Sequence, residues 1–223
     1  MKKLTPFELA YLLGSYTVLI SSTIIFDTGL PALAAALFSI TGGVLNMRAS
    51  RLCYPFYIVT VIIYGTIAFS QRFYGEVVLN LVYNLPLYII AVIVWIKNYD
   101  KNSAGNISKL SLKQLVIILT GSAVVTAVYG WALTRAGSAL PYLNSFATCM
   151  AASASYLTSR RIREQWWFWM IYNASLIVMW ATTLTVSTEQ LALFLHYLLY
   201  APVNVIGLIR WTRIYKLQEE KTA

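Results

Sequence analysis

Apolar residues run through this chain in eight stretches separated by short polar gaps, roughly 7–26, 31–47, 53–70, 75–97, 114–134, 143–159, 166–185 and 191–211. Each is near the ~20 residues that an α-helix, rising ~1.5 Å per residue, needs to cross a hydrocarbon core. The pattern predicts an all-α polytopic membrane protein with eight transmembrane helices. No gap could hold a soluble domain. The longest, residues 98–113, is rich in Ser, Gly and Asn and reads as a linker. The expected organisation is one transmembrane domain over 1–223: a first half over about 7–97, the linker, a second half over about 114–212, and a basic tail over 213–223. The first stretch fits a signal peptide poorly, given its length and the acidic Glu8 near its start, and is expected to stay as a helix.

Composition agrees, since 59% hydrophobic and 11% charged residues lie far from the ~25% charged of soluble domains. Charge then orients the helices. Of 17 Lys and Arg, all but Arg72 and Arg135 precede the first stretch or follow the second, fourth, sixth and eighth. Cytoplasmic loops carry the excess of cations, so both termini and residues 98–113 are expected in the cytoplasm. The net charge of +9 therefore reports topology and contact with anionic lipid, and with no single basic stripe it does not indicate nucleic-acid binding. Cys53 and Cys149 are read as thiols at cytoplasmic ends of helices, serving as small packing residues. One His and two separated Cys supply no metal site, and no nucleophile and base stand at useful spacing, so neither cofactor nor catalysis is implied.

The chain also reads as a duplication. A shift of 116 positions lays Gly14 on Gly130, Tyr64 on Trp180, Pro86 on Pro202 and Trp95 on Trp211, and lays stretch on stretch. Four helices per unit is an even number, so the repeat must be parallel, with a pseudo-twofold along the membrane normal, as in some transporters. The second and sixth stretches, rich in Ala, Ser and Gly, fall opposite one another. Both are expected inside the bundle, where small residues let backbones approach.

Acids sit at the ends of stretches or in loops, which disfavours ion-coupled transport, because coupled carriers keep a charge at membrane depth. His196 is the one titratable residue near the midplane, and a lone His on an aromatic helix is more often packed than a relay. The stretches hold instead neutral amides and aromatic rings. Trp169 and Asn173 stand at i and i+4, with Tyr172 beside them and Trp180 two turns on. Asn84 and Tyr88 repeat that spacing around Pro86, Tyr197, Tyr200, Pro202 and Asn204 line the eighth stretch, and Tyr57, Thr60 and Tyr64 the third. An indole face beside an amide suits a planar polar or cationic ring, stacked on one and read by the other. Trp95, Trp166, Trp167 and Trp211, beside Lys or Arg, read as interfacial anchors.

Three blocks carry a resemblance. They are Tyr74-Gly75-Glu76-Val77-Val78-Leu79-Asn80-Leu81-Val82-Tyr83 with Leu85-Pro86; Tyr129-Gly130-Trp131 with Leu140-Pro141-Tyr142; and Arg160-Arg161 leading through Glu164-Gln165-Trp166 to Trp169-x-x-x-Asn173. In this order, over about residues 48–211, they resemble the PnuC family of bacterial vitamin transporters. The resemblance implies two parallel three-helix bundles joined by a linking helix, as in SWEET sugar transporters (3+1+3), with an extra N-terminal helix. It further implies residence in the bacterial cytoplasmic (inner) membrane and uptake of a vitamin by facilitated diffusion, nicotinamide riboside first. A cytoplasmic kinase would then trap the import. Self-association is left open. Trp169 and Asn173 match the family's substrate-binding pair, and Tyr88, Asn84, Thr60, Tyr64, Trp180 and Asn204 complete the expected binding set. Tyr88 and Thr60 stand where the family's pattern has a glutamine and an asparagine. Thiamine, riboflavin or a deoxynucleoside are therefore alternative substrates, a sugar a further one, and a nontransporting membrane protein the remaining class.

Overall fold

The computed structural model describes residues 4–26, 29–70, 77–97, 107–138, 140–183 and 191–222, which form eight helices. They are α1 (Pro6–Phe26), α2 (Leu30–Met47), α3 (Cys53–Ser70), α4 in two parts (a π-helical Val78–Asn84 and an α-helical Leu85–Lys97), α5 (Leu112–Arg135), α6 (Pro141–Ser159), α7 (Gln165–Thr183) and α8 (Leu191–Thr222). Local chemistry sets several of the starts. Pro31 and Pro141 occupy first-turn positions, where a missing N–H costs nothing. Ser111 and Gln114 cap α5 reciprocally, at 3.2 and 3.0 Å, and Thr5 and Glu8 do the same for α1, at 3.3 and 2.8 Å.

Pro86 shapes α4. In α-geometry its ring would collide with the carbonyl four residues back and its nitrogen could not donate. The preceding turn instead widens, with Leu85 N donating to Asn80 O, five residues back. A sequence reading that expects only a freed carbonyl or kink at Pro86 misses this wider segment, which carries Asn80 and Asn84 into the interior.

Six helices close a ring. α2 packs on α3, α3 on α4, α4 on α6, α6 on α7, α7 on α8, and α8 returns to α2. Outside it α1 lies over α2 and α8, and α5 over α6. The outer faces of these two carry exposed Leu9, Leu13, Ile24, Val116, Ile117 and Val128, the surface that lipid would cover. Among the described residues α1, α2 and α5 are long and apolar enough to cross a membrane. The small-residue helices lie within the ring as predicted, burying Ala35, Gly42 and Gly43 on α2 and Ala147, Ala151, Ala154 and Ser155 on α6.

The corners between α2 and α3 and between α6 and α7 share one hydrogen-bond pattern. Ala49 N to Asn46 O, Ser50 N to Leu45 O, Cys53 N to Ser50 O and Tyr54 N to Arg51 O recur as Arg161 N to Thr158 O, Ile162 N to Leu157 O, Gln165 N to Ile162 O and Trp166 N to Arg163 O. The turning residues Ala49 and Arg161 take positive φ values of 56° and 57°. These corners correspond at a shift of 112, not the 116 read from the sequence, because 116 was fixed by prolines and aromatics in the helices and not by the turns.

Three sequence expectations change at this end of the bundle. The tail does not leave the last helix at residue 212, since α8 continues to Thr222. The end of the supposed linker is docked: Ser108 pairs with the backbone of Arg161 and Arg163, each at 3.0 Å. Ile107 N donates to Gln218 Oε1 at 3.1 Å and Leu110 N to Glu164 Oε2 at 2.9 Å. Under this cover Trp166 and Trp211 are core residues and not interfacial anchors. They meet edge to face at 6.0 Å, and Trp211 Nε1 donates to Asn46 O at 2.8 Å. Trp167 is exposed as an anchor should be, while the side chain of Trp95 and residues 98–106 lie outside the described residues. Both cysteines are free and buried, Cys149 halfway along α6 and not at its end.

Glu8, 1% exposed, ties α1 to this end. Its carboxylate pairs with the Arg210 guanidinium of α8, and Arg48, at the end of α2, stands 3.7 Å away. Farther along, the Tyr11 hydroxyl donates to Leu199 O of α8, and Tyr16 meets Thr41 of α2. Removing one cation from a buried pair leaves a charge without compensation. Arg210→Met is expected to destabilise the detergent-solubilised protein by about 2 kcal/mol, below the ~3–5 of a fully enclosed pair because Arg210 is partly exposed. Arg48→Met should cost less. Thermal unfolding of both variants checks the order, and an unchanged midpoint for Arg210→Met would remove the clamp.

Candidate functional site

Helical spacing of three and four residues places aromatic side chains on the facing surfaces of α3, α4, α7 and α8. Tyr88 of α4 lies 5.3 Å from Tyr57 and 6.2 Å from Tyr54 of α3, ring centre to ring centre. The Tyr57 hydroxyl stands 3.4 Å from that of Tyr200 on α8. His196 is 5.9 Å from Tyr200 and 5.1 Å from Tyr197, which reaches Tyr172 of α7 at 6.3 Å, and Tyr172 reaches Trp169 at 5.8 Å. The result is a band of rings from Tyr88 to Trp169 that crosses from the first half of the chain to the second.

Gly42 and Gly43 make room where the halves meet. A Cβ on Gly42 would lie 2.7 Å from the Tyr57 ring, and one on Gly43 2.6 Å from the Tyr200 hydroxyl. These two positions need glycine because two tyrosines are pressed against the α2 backbone.

Amides flank the band. Asn173 Nδ2 donates to Tyr197 O at 2.9 Å, and Asn204 Nδ2 to Trp169 O at 3.4 Å, so each joins α7 to α8. The Tyr88 hydroxyl donates to Ser155 Oγ of α6 at 3.1 Å, and the Trp169 indole N–H to Thr158 Oγ1 at 3.0 Å. Two amide oxygens are left over. The Oδ1 atoms of Asn84 (5% exposed) and Asn204 (1%) are buried without a hydrogen-bond partner. A buried oxygen without a donor costs ~1–3 kcal/mol, which a ligand bearing N–H or O–H groups would recover.

The structure thus brings Trp169, Asn173 and Asn204 together across α7 and α8, sets Tyr88 against Tyr57, and carries Asn84 inward on the π segment. Thr60 spends its hydroxyl on Phe56 O of its own helix, at 2.9 Å, and Tyr64, one turn on, is half-buried. The side chain of Trp180 lies outside the described residues. His196 is packed within the band, its Nδ1 buried without a hydrogen-bond partner. Sequence reasoning noted Tyr57, Tyr172, Tyr197 and Tyr200 without singling them out, and missed Asn46, Ser155, Thr158 and Gln165. The i, i+3 spacing of Ser155 and Thr158 was the available signal, hidden in a run read as small packing residues. Among the described residues no group of His, Cys, Asp or Glu could hold a metal ion.

The sequence pattern of the nicotinamide mononucleotide transporter family matches residues 10–213. The nicotinamide riboside transporter PnuC of Neisseria mucosa is 30% identical over 169 residues, 73% of this chain and 64% of the relative. That of Haemophilus influenzae is 28% identical over 166 residues, 73% of this chain and 70% of the relative. The chain thus matches just under two thirds of the length of the first relative. A crystal structure of the vitamin B3 transporter PnuC is similar over 97% of this chain and 94% of that one, with a TM-score of 0.81 and 28% identity.

Crowding at the glycine pair is testable. Gly42→Ala and Gly43→Ala are expected to push the Tyr57 and Tyr200 rings from their places, each costing about 1–3 kcal/mol of stability. Gly43→Ala in a Tyr200→Phe background should cost less, since the closest atom, the hydroxyl, is gone and only ring carbons at 2.9 and 3.0 Å remain. Thermal unfolding of these variants and of Tyr200→Phe alone checks this, and a greater cost in the Tyr200→Phe background would contradict the contact.

Proposed function

The chain belongs to the nicotinamide mononucleotide transporter family, and on that premise we propose that it carries nicotinamide riboside across a membrane by facilitated diffusion. The observation that carries the reading is the aromatic band with two buried amide oxygens, Asn84 Oδ1 and Asn204 Oδ1, lacking donors. A nicotinamide ring suits the faces of Trp169, Tyr172 and Tyr88, through stacking and, for its cationic form, attraction to the aromatic quadrupole. Its carboxamide and ribose supply the N–H and O–H donors that those oxygens lack. Trp169, Asn173, Asn204, Tyr88 and Asn84 are the residues assigned to the substrate, with Thr60, Tyr64 and Trp180 as further candidates from the sequence.

The mechanism follows from the ring. α2, α3 and α4 form one bundle and α6, α7 and α8 the other, α5 links them, and α1 is the extra helix, giving the 3+1+3 repeat. The matching corners at a shift of 112 support a parallel repeat within one transmembrane domain of eight crossing helices. Substrate binds between the bundles, and rocking of one against the other exposes it alternately to the two sides. Among the described residues coupling to an ion has no support in an acid at membrane depth, since Glu8 at the start of α1 is committed to Arg210 and Arg48. Net import then depends on trapping by a cytoplasmic kinase. The cation-rich helix ends, with both termini, face the cytoplasm of a bacterial inner membrane.

The test is equilibrium binding of purified protein to nicotinamide riboside, thiamine, riboflavin and a deoxynucleoside, with glucose as competitor. Nicotinamide riboside is expected to bind at about micromolar affinity, some −8 kcal/mol, with glucose without effect. Trp169→Ala and Asn173→Ala are expected to weaken it about a hundredfold, a loss larger than the fall in stability that removing their interhelical hydrogen bonds brings, with affinity measured at a temperature where each variant is folded. Tight binding of another compound alone would overturn the substrate. It would also mark Tyr88 and Thr60 as the positions where specificity has changed. Unaltered affinity in both alanine variants would overturn the site.

A further inference from the structure

The Trp169 ring is held by more than its neighbours' faces. Its indole N–H donates to Thr158 Oγ1 at 3.0 Å, from the last turn of α6. That hydroxyl has one proton to give and two acceptors in reach, Gln165 Oε1 at 2.6 Å and Ala154 O at 2.8 Å. Gln165 is fully buried, and its Oε1 also accepts from Asn46 Nδ2 of α2 at 3.1 Å. Asn46 in turn gives its backbone carbonyl to the Trp211 indole at 2.8 Å. An indole nitrogen can donate but not accept, so the Trp169 N–H needs an acceptor with its proton turned elsewhere. Gln165 and Ala154 supply the places for that proton.

We propose that Thr158 is a positioning residue for substrate binding, acting through Trp169, with Gln165 and Asn46 holding it in the accepting state. The inference rests on the assignment of Trp169 to the substrate. With its N–H spent on Thr158, the indole meets the substrate with its face alone, at an angle fixed by α6 and not by the local rotamer of α7. The four residues also join the halves, because Asn46 belongs to α2 whereas Thr158, Gln165 and Trp169 belong to α6 and α7. The orientation of the ring is thereby tied to the packing of one bundle on the other.

Thr158→Val keeps the shape of the side chain and removes the acceptor, and Thr158→Ser restores it. For nicotinamide riboside binding to the purified full chain, Thr158→Val is expected to weaken affinity about tenfold, the loss that follows when a buried donor is left unmet. Thr158→Ser should stay within about twofold. Trp169→Phe removes the N–H and keeps a face, and in that background Thr158→Val should cost less than about twofold, since the two substitutions act on one interaction. Equal weakening by Thr158→Val in both backgrounds would overturn the proposal, as would wild-type affinity for Thr158→Val or failure of Thr158→Ser to recover it. If Trp169→Phe and Trp169→Ala both bind like wild type, the assignment of Trp169 to the site is what fails, and the proposal falls with it.

Discussion

Within hydrocarbon a polar side chain has no water to turn to, so a hydroxyl bonds its own helix or a neighbour, and an amide or indole, which cannot turn back so easily, must find a partner on another helix or stay unmet at a cost. That constraint organises the interior of this protein. Asn173 and Asn204 tie α7 to α8 by donating to backbone carbonyls, Tyr88 ties α4 to α6 through Ser155, and Trp169 ties α7 to α6 through Thr158. Each bond closes a contact in the six-helix ring. The amide oxygens of Asn84 and Asn204 are left over among these ties as buried acceptors that a ligand bearing N–H or O–H groups could meet.

The overall architecture was legible because hydropathy acts on whole segments. Eight apolar stretches became eight helices, with α3 starting and ending at the predicted residues and most others within two. What sequence periodicity could not supply was the effect of chain outside the stretches. Trp166 and Trp211 look like boundary residues beside their arginines, but the continuation of α8 and the docking of residues 107–110 bury them. Glu8 looks like a solvated helix-end acid, but Arg210 lies 202 positions away and only the fold brings it near. The π segment of α4 arises from Pro86, which was visible, through a change of hydrogen-bond spacing that a helical pattern does not reveal.

The candidate site was half legible for a similar reason. Trp169 and Asn173 are spaced as neighbours on one helix, so the sequence could pair them. Tyr57 and Tyr200 meet across 143 positions and only through the glycines of α2. Thr158 and Gln165 are small or polar residues at helix ends, indistinguishable in sequence from caps and packing residues. The shift of 112 at the corners matters here, for it places Tyr57 opposite Trp169 and Ser155 opposite Gly43. The two matching corners thus lead into helices with different side chains, a hydroxyl at Ser155 and, at Gly43, a gap that the Tyr200 ring fills, so the band is lopsided.

An uncoupled carrier can only equalise its substrate across a membrane, and that is the most direct test of the account. Uptake of labelled nicotinamide riboside into proteoliposomes, without any trapping enzyme, should rise to equal concentrations inside and out. It should stop there, whether or not a proton or sodium gradient is imposed. Accumulation above equality driven by either gradient would contradict the account and require a coupling residue, with His196 the first to examine.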